Sequence, residues 1–197
     1  MTQDTVKVWD ILVRLFHWSL VVAFTVAYLT EDDFEDVHVI AGYVVLGLIA
    51  FRLVWGFVGS RYARFNSFVV KPTTALSYIK DIKNHSAKRY IGHNPAGAMM
   101  VLALMFSLLM TTVFGLMLYG AEEFSGPLAG VMMDISHSTV HDIEEIHEFF
   151  ANLTLFLIVL HVLGVISASF QHKENLVASM FNGKKKAGTN TKGDNKS

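Results

Sequence analysis

His147 and His161 stand fourteen positions apart in the apolar run IHEFFANLTLFLIVLHVLGVISASF. If that run is one helix, fourteen residues make about 3.9 turns, so both imidazoles leave the same face roughly 21 Å apart along the axis. Histidine inside a hydrophobic span is rare and costly, and two on one stripe ask for a reason that packing alone does not supply. Imidazole is an axial ligand of haem iron, and the spacing suits a pair of stacked haems.

The elements that hold these ligands follow from composition. The chain has 197 residues, 52% of them hydrophobic, which is too apolar for a soluble domain of this length. Four runs, about residues 11–30, 38–58, 96–119 and 147–170, approach or reach the roughly 20 residues that cross a bilayer as helix. The first run contains Arg14 and His17 and is followed by acids rather than a small-residue cleavage site, so it reads as a retained span and not a secretory signal. The fold expected is all-α: an integral membrane four-helix bundle over residues 1–172 that encloses two haems.

Between the second and third runs, Pro72, Thr73 as N-cap, and Ala75, Leu76, Ile79 and Ile82 with Lys80 and Lys83 opposite predict a short helix lying on the membrane interface. From residue 173 to 197 the chain is polar and basic. It reads as a disordered tail drawn to anionic lipid.

Charge orients the spans. Lys7, Arg14, the basic residues between 60 and 95, and those from Lys173 onward lie on one side. The other two connections hold 12 of the 17 acids, from Glu31 to Asp36 and from Glu122 to Glu148. By the positive-inside rule both termini are cytoplasmic.

Zero cysteines exclude a covalently attached c-type haem and a thiolate-bound iron–sulfur cluster. The sequence has no H-E-x-x-H, no P-loop and no dinucleotide fingerprint. No nucleic-acid partner is expected. Any redox centre must be held by histidine.

Topology then pairs four histidines by depth. His17, inside span one, and His161, inside span four, lie toward the cytoplasmic side; His38 opens span two and His147 opens span four at the outer side. Each pair can clamp a haem iron from opposite faces. Bis-histidine ligation fills both axial positions, so such a haem passes electrons rather than activating a bound molecule. Haem propionates need cationic partners. Arg14, one turn before His17, and Arg52, fourteen residues after His38, reach the level of the cytoplasmic haem.

The remaining histidines have plainer readings. His137 and His141 read as polar residues of a wet outer loop, His93 as part of the turn into span three ahead of Pro95, His172 as a solvated helix end and His85 as surface. The methionines of span three read as adaptable packing, and Gly97 and Gly115 as close-packing positions.

The runs VKVWDILVRLFHWSL, HVIAGYVVLGLIAFRLVWGFVGSRYARF, YIGHNPAGAMMVLAL and IHEFFANLTLFLIVLHVLGVI resemble the prokaryotic cytochrome b-561 and nickel-iron hydrogenase cytochrome b group, relatives of the formate dehydrogenase cytochrome b subunit. The resemblance covers about residues 6–172. It implies the same pairing, His17 with His161 and His38 with His147, two non-covalent haem b groups, and electron exchange with membrane quinone.

The expected function is electron transfer across the bacterial cytoplasmic (inner) membrane between quinone and a periplasmic cytochrome c or other redox protein drawn to the acidic outer face. The chain reads as an electron-transfer subunit rather than a stand-alone enzyme. Oligomers are compatible with this reading. One alternative is a self-contained quinone oxidoreductase meeting a small reactant such as superoxide; another is a non-redox bundle using histidine for proton relay.

Overall fold

A computed structural model describes residues 5–31, 33–84 and 86–187. Along the chain run β1 (Thr5–Lys7), α1 (Ile11–Leu29), α2 (Glu35–Val58), α3 (Pro72–Lys83), α4 (Pro95–Glu122), α5 (Ala129–Met132), α6 (His137–His172), α7 (Leu176–Asn182) and β2 (Lys184–Lys186). Helices α1, α2, α4 and α6 are long and apolar enough to cross a membrane. The chain divides into two compact units.

One unit comprises His17–Leu53 and Leu102–Val159, and so holds a length of all four long helices. Its core joins Ala23 and Phe24 of α1, Val45 and Ile49 of α2 and Leu108 of α4, with Ile158 of α6 packed against them. These helices form an all-α bundle. Large apolar side chains such as Val22, Phe106 and Phe156 face outward, as a lipid-facing surface requires. Because lipid is as apolar as leucine, helix association leans on close packing and polar contacts. Ser107 and Thr154, both buried, supply one: their hydroxyls lie 2.7 Å apart, joining α4 to α6, and Thr154 also donates to the Phe150 carbonyl.

Helix α6 begins ten residues before the predicted span, and the physical reason lies in its first turns. The Ser136 hydroxyl accepts from the Thr139 N–H as an N-cap. His141 sits beside Glu144 and Glu145, one turn on. Ile143 is buried with Ala121 and Met132, and Val140 packs on the same cluster. His137 and His141 are exposed, as expected, but they belong to a helix and not a loop.

The other unit comprises Met1–Phe16, Val54–Val101 and Leu160–Ser197. Here β1 and β2 pair antiparallel, Val6 opposite Lys185. The Asp10 carboxylate accepts from the Val13 N–H, from Trp55 Nε1 and from the Ser60 hydroxyl, which starts α1 and ties it to residues 55–60. Burial pushes the Asp10 pKa up, but these donors outweigh it and hold the carboxyl below its ordinary value. Asn94 caps α4 through the Gly97 N–H, with Pro95 in the first helical position.

The expectation of disorder from residue 173 is corrected for residues 173–187. Asn175 caps α7 by accepting from the Ala178 N–H, and Gly183 ends it in the left-handed conformation at φ 77°. A Cβ on Gly183 would come within 2.5 Å of the Trp9 carbonyl oxygen. Glu174 pairs with Arg89, and its other oxygen lies 3.7 Å from Lys185 Nζ. The three lysines of β2 therefore read as a solvated run in sequence but find partners far away in the chain. Residues 188–197 of the tail, and His85, lie outside the described residues.

A second correction concerns α3. Lys71 occupies the N-cap position and Pro72 the first turn, with no side-chain cap from Thr73. Proline's fixed φ suits that first position, where its missing N–H goes unused. Ala75 and Tyr78 are buried while Leu76 and Ile79 are exposed, which leaves an apolar face available to the interface.

Candidate haem site

In the four-helix unit, His38 of α2 and His147 of α6 come together with ring centroids 6.1 Å apart and planes at 76°. Each ring is held by a backbone carbonyl. His38 Nδ1 lies 2.9 Å from the Ala27 oxygen, and His147 Nδ1 lies 2.9 Å from the Thr111 oxygen. A carbonyl only accepts, so each Nδ1 carries the proton and each Nε2 keeps a free lone pair. That is the tautomer a metal-ligating histidine needs, with its second nitrogen fixed by an outer partner.

The two rings line a cavity together with Gly42, Tyr43, Gly115, Tyr119 and other mainly apolar residues. With nitrogen–metal bonds of about 2.0 Å, two imidazoles on one metal place their centres roughly 6 Å apart, which the observed separation matches. Gly42 lines the space, and a Cβ there would meet nothing within 4 Å. The residues present fit a planar group held by iron between two histidines.

The other predicted residues are distributed differently. His17, on α1 in the same unit, is half-buried, its ring edge-on to Trp18 at 5.1 Å between centroids. Arg52 of α2 is only 3% exposed, a depth well beyond that of a snorkelling side chain. His161 of α6 and Arg14 of α1 belong to the other unit. His161 is half-buried. Arg14 has a partner not foreseen from sequence: its guanidinium donates to the Phe181 carbonyl at the end of α7. Its buried Nε has no hydrogen-bond partner among the described residues.

His93, in the turn into α4, packs its ring against Trp9 and Phe68. Two contributors to the site had no sequence signal, because the carbonyls of Ala27 and Thr111 carry no residue-type mark. Gly115 was visible only as a packing glycine, yet its Cα faces the His147 ring.

Comparisons with known proteins give the family of the chain. The sequence profile described as prokaryotic cytochrome b561 matches residues 8–183. The probable Ni/Fe-hydrogenase B-type cytochrome subunit of Azotobacter vinelandii is 24% identical over 216 aligned positions, covering 92% of this chain and 88% of that protein. No solved structure matches the chain. The chain belongs to the prokaryotic cytochrome b561 family, helical-bundle membrane proteins of bacteria that carry b-type haem and transfer electrons.

Proposed function

We propose that the chain binds two haem b groups and carries electrons across the bacterial inner membrane between the quinone pool and a periplasmic redox protein. His38 and His147 hold one group, and His17 and His161 the other. When bound, haem b supplies a one-electron Fe(III)/Fe(II) couple. The observation that carries the reading is the His38 and His147 pair, both with Nδ1 pinned to a carbonyl and both facing one cavity.

With two histidines holding each iron, no open site would remain for a substrate, which suits electron passage. Arg52, buried in the four-helix unit, supplies positive charge for a propionate or for the electron added on reduction. Arg14 offers a guanidinium with one unpartnered nitrogen for the same purpose at the His17 and His161 level. Both termini face the cytoplasm in this reading, as the basic connections favour. The acids at 31–36 and 122–148 then form an outer face that steers a basic partner. That same face repels an anion such as superoxide, so no observation favours direct reaction with it.

Adding a reduced quinone analogue to the purified protein in proteoliposomes tests the reading. The expected result is reduction of the b-type absorption, followed by reoxidation on adding a basic cytochrome c, faster at low salt. A b-type spectrum that no quinol reduces would refute the quinone assignment.

A further inference from the structure

Gly115 occupies a position that the haem reading leaves unused. It lies inside α4, seven residues before its end and four after Thr111, so by helix geometry its N–H donates to the Thr111 carbonyl. That same oxygen receives His147 Nδ1–H at 2.9 Å. A Cβ on Gly115 would stand 2.9 Å from His147 Cε1 and 3.1 Å from its Nδ1, closer than real Cβ atoms pack. The imidazole is a short, stiff group already fixed by its hydrogen bond, so it cannot yield without losing that bond.

The partner ligand is built otherwise. His38 Nδ1–H goes instead to the Ala27 carbonyl in the last turn of α1, an oxygen that also accepts from the Thr30 N–H at 3.3 Å. No glycine is needed to reach it. At Gly42 and Gly47 a Cβ would meet nothing within 4 Å, and at Gly120 and Gly126 it would meet Leu128 and Tyr43 rather than a histidine.

We propose that Gly115 is a positioning residue, whose missing side chain lets His147 lie against α4 and donate Nδ1–H to the Thr111 carbonyl, and that this bond sets the reduction potential of the haem held by His38 and His147. The inference rests on that pair being ligands. Donation from Nδ1 to a carbonyl raises the basicity of the ligating nitrogen. A more basic axial ligand favours Fe(III) and lowers the potential, one of the protein's levers on haem. Adding a methyl at residue 115 weakens the bond and therefore raises the potential of that haem alone.

The test is a spectroelectrochemical titration of the purified full-length protein, with low-temperature electron paramagnetic resonance to read the axial field. Gly115→Ala is compared with wild type, with Gly47→Ala as a control on the opposite side of α2, and with His38→Ala to mark which component belongs to the pair. The expected result is that the component missing from His38→Ala shifts upward in Gly115→Ala by roughly a tenfold change in its redox equilibrium, about 59 mV for one electron, with an altered g-tensor. Loss of that component alone supports the proposal too. Unchanged potentials and g-values overturn it. Loss of both haems in Gly115→Ala, with both kept in Gly47→Ala, overturns it by making the glycine a requirement of the bundle. If His38→Ala keeps both haems, the ligand reading itself has failed, and the proposal with it.

Discussion

Glu174→Ala removes the hub that orders the C-terminal segment. Glu174 meets Arg89 on one oxygen and Lys185 on the other, and the side chains of Glu174 and Lys185 are only 7% and 6% exposed. Breaking a buried ion pair from one side costs about 3–5 kcal/mol, because the remaining charge is left uncompensated. The low end applies here. Arg89 is 26% exposed and keeps the Lys186 carbonyl, and Lys185 keeps the Tyr90 carbonyl at 3.3 Å. At about 1.4 kcal/mol per tenfold change, about 3 kcal/mol raises the open fraction of the segment roughly 100-fold.

Limited trypsin digestion of detergent-solubilised protein reads this directly, since cleavage after Lys184, Lys185 or Lys186 requires β2 to leave β1. Where opening is fast relative to cleavage, the rate tracks the open population. The same site gives a pH signature. Burial raises the Glu174 pKa, but Arg89 and Lys185 outweigh it and hold the carboxyl below its ordinary value of 4.5. A carboxylate depressed in the folded state stabilises fully above that ordinary value and loses its contribution as pH falls through the depressed one. Acid should therefore open the wild-type segment and leave Glu174→Ala little changed, as followed by hydrogen exchange of β2. Equal trypsin rates in the two proteins at neutral pH would refute the reasoning.

Three further outcomes are expected. In a double-mutant cycle of Ser107→Ala and Thr154→Val, read by thermal unfolding in detergent, the hydroxyl pair couples by about 0.6 kcal/mol, as hydrogen bonds between membrane helices do; each single variant stays mild because the survivor still donates to the Phe150 carbonyl. Asp10→Ala costs about 1–2 kcal/mol in the same assay, through loss of the α1 cap, and the wild-type contribution fades only at acid pH because the folded carboxyl lies below its ordinary value. Arg52→Gln lowers the midpoint potential of one haem, since a buried cation favours the reduced form; equal midpoints in the two proteins would remove Arg52 from the site.

What was legible in the sequence is what burial in lipid writes there. The four spans, the Pro95 start of α4 and the meeting of His38 with His147 follow from apolar length and the cost of polar groups in hydrocarbon. The first turns of α6 were hidden because their helical pattern, Val140 and Ile143 facing Ala121 and Met132, is set among acids that read as loop. The ordering of 173–187 was hidden for a different reason: it depends on Arg89, Tyr90 and β1, each separated from it by more than 80 residues. Likewise, Gly115 and the carbonyls of Ala27 and Thr111 become site residues only once helices α1, α2, α4 and α6 meet.

The pairing of ligands is tested most directly by haem stoichiometry in purified His38→Ala, His147→Ala and the double variant. Residues that act as a unit lose function non-additively, so all three proteins should hold one haem b per chain against two in wild type, with the same component missing. Two haems in either single variant, or a different haem missing from each, would contradict the clamp.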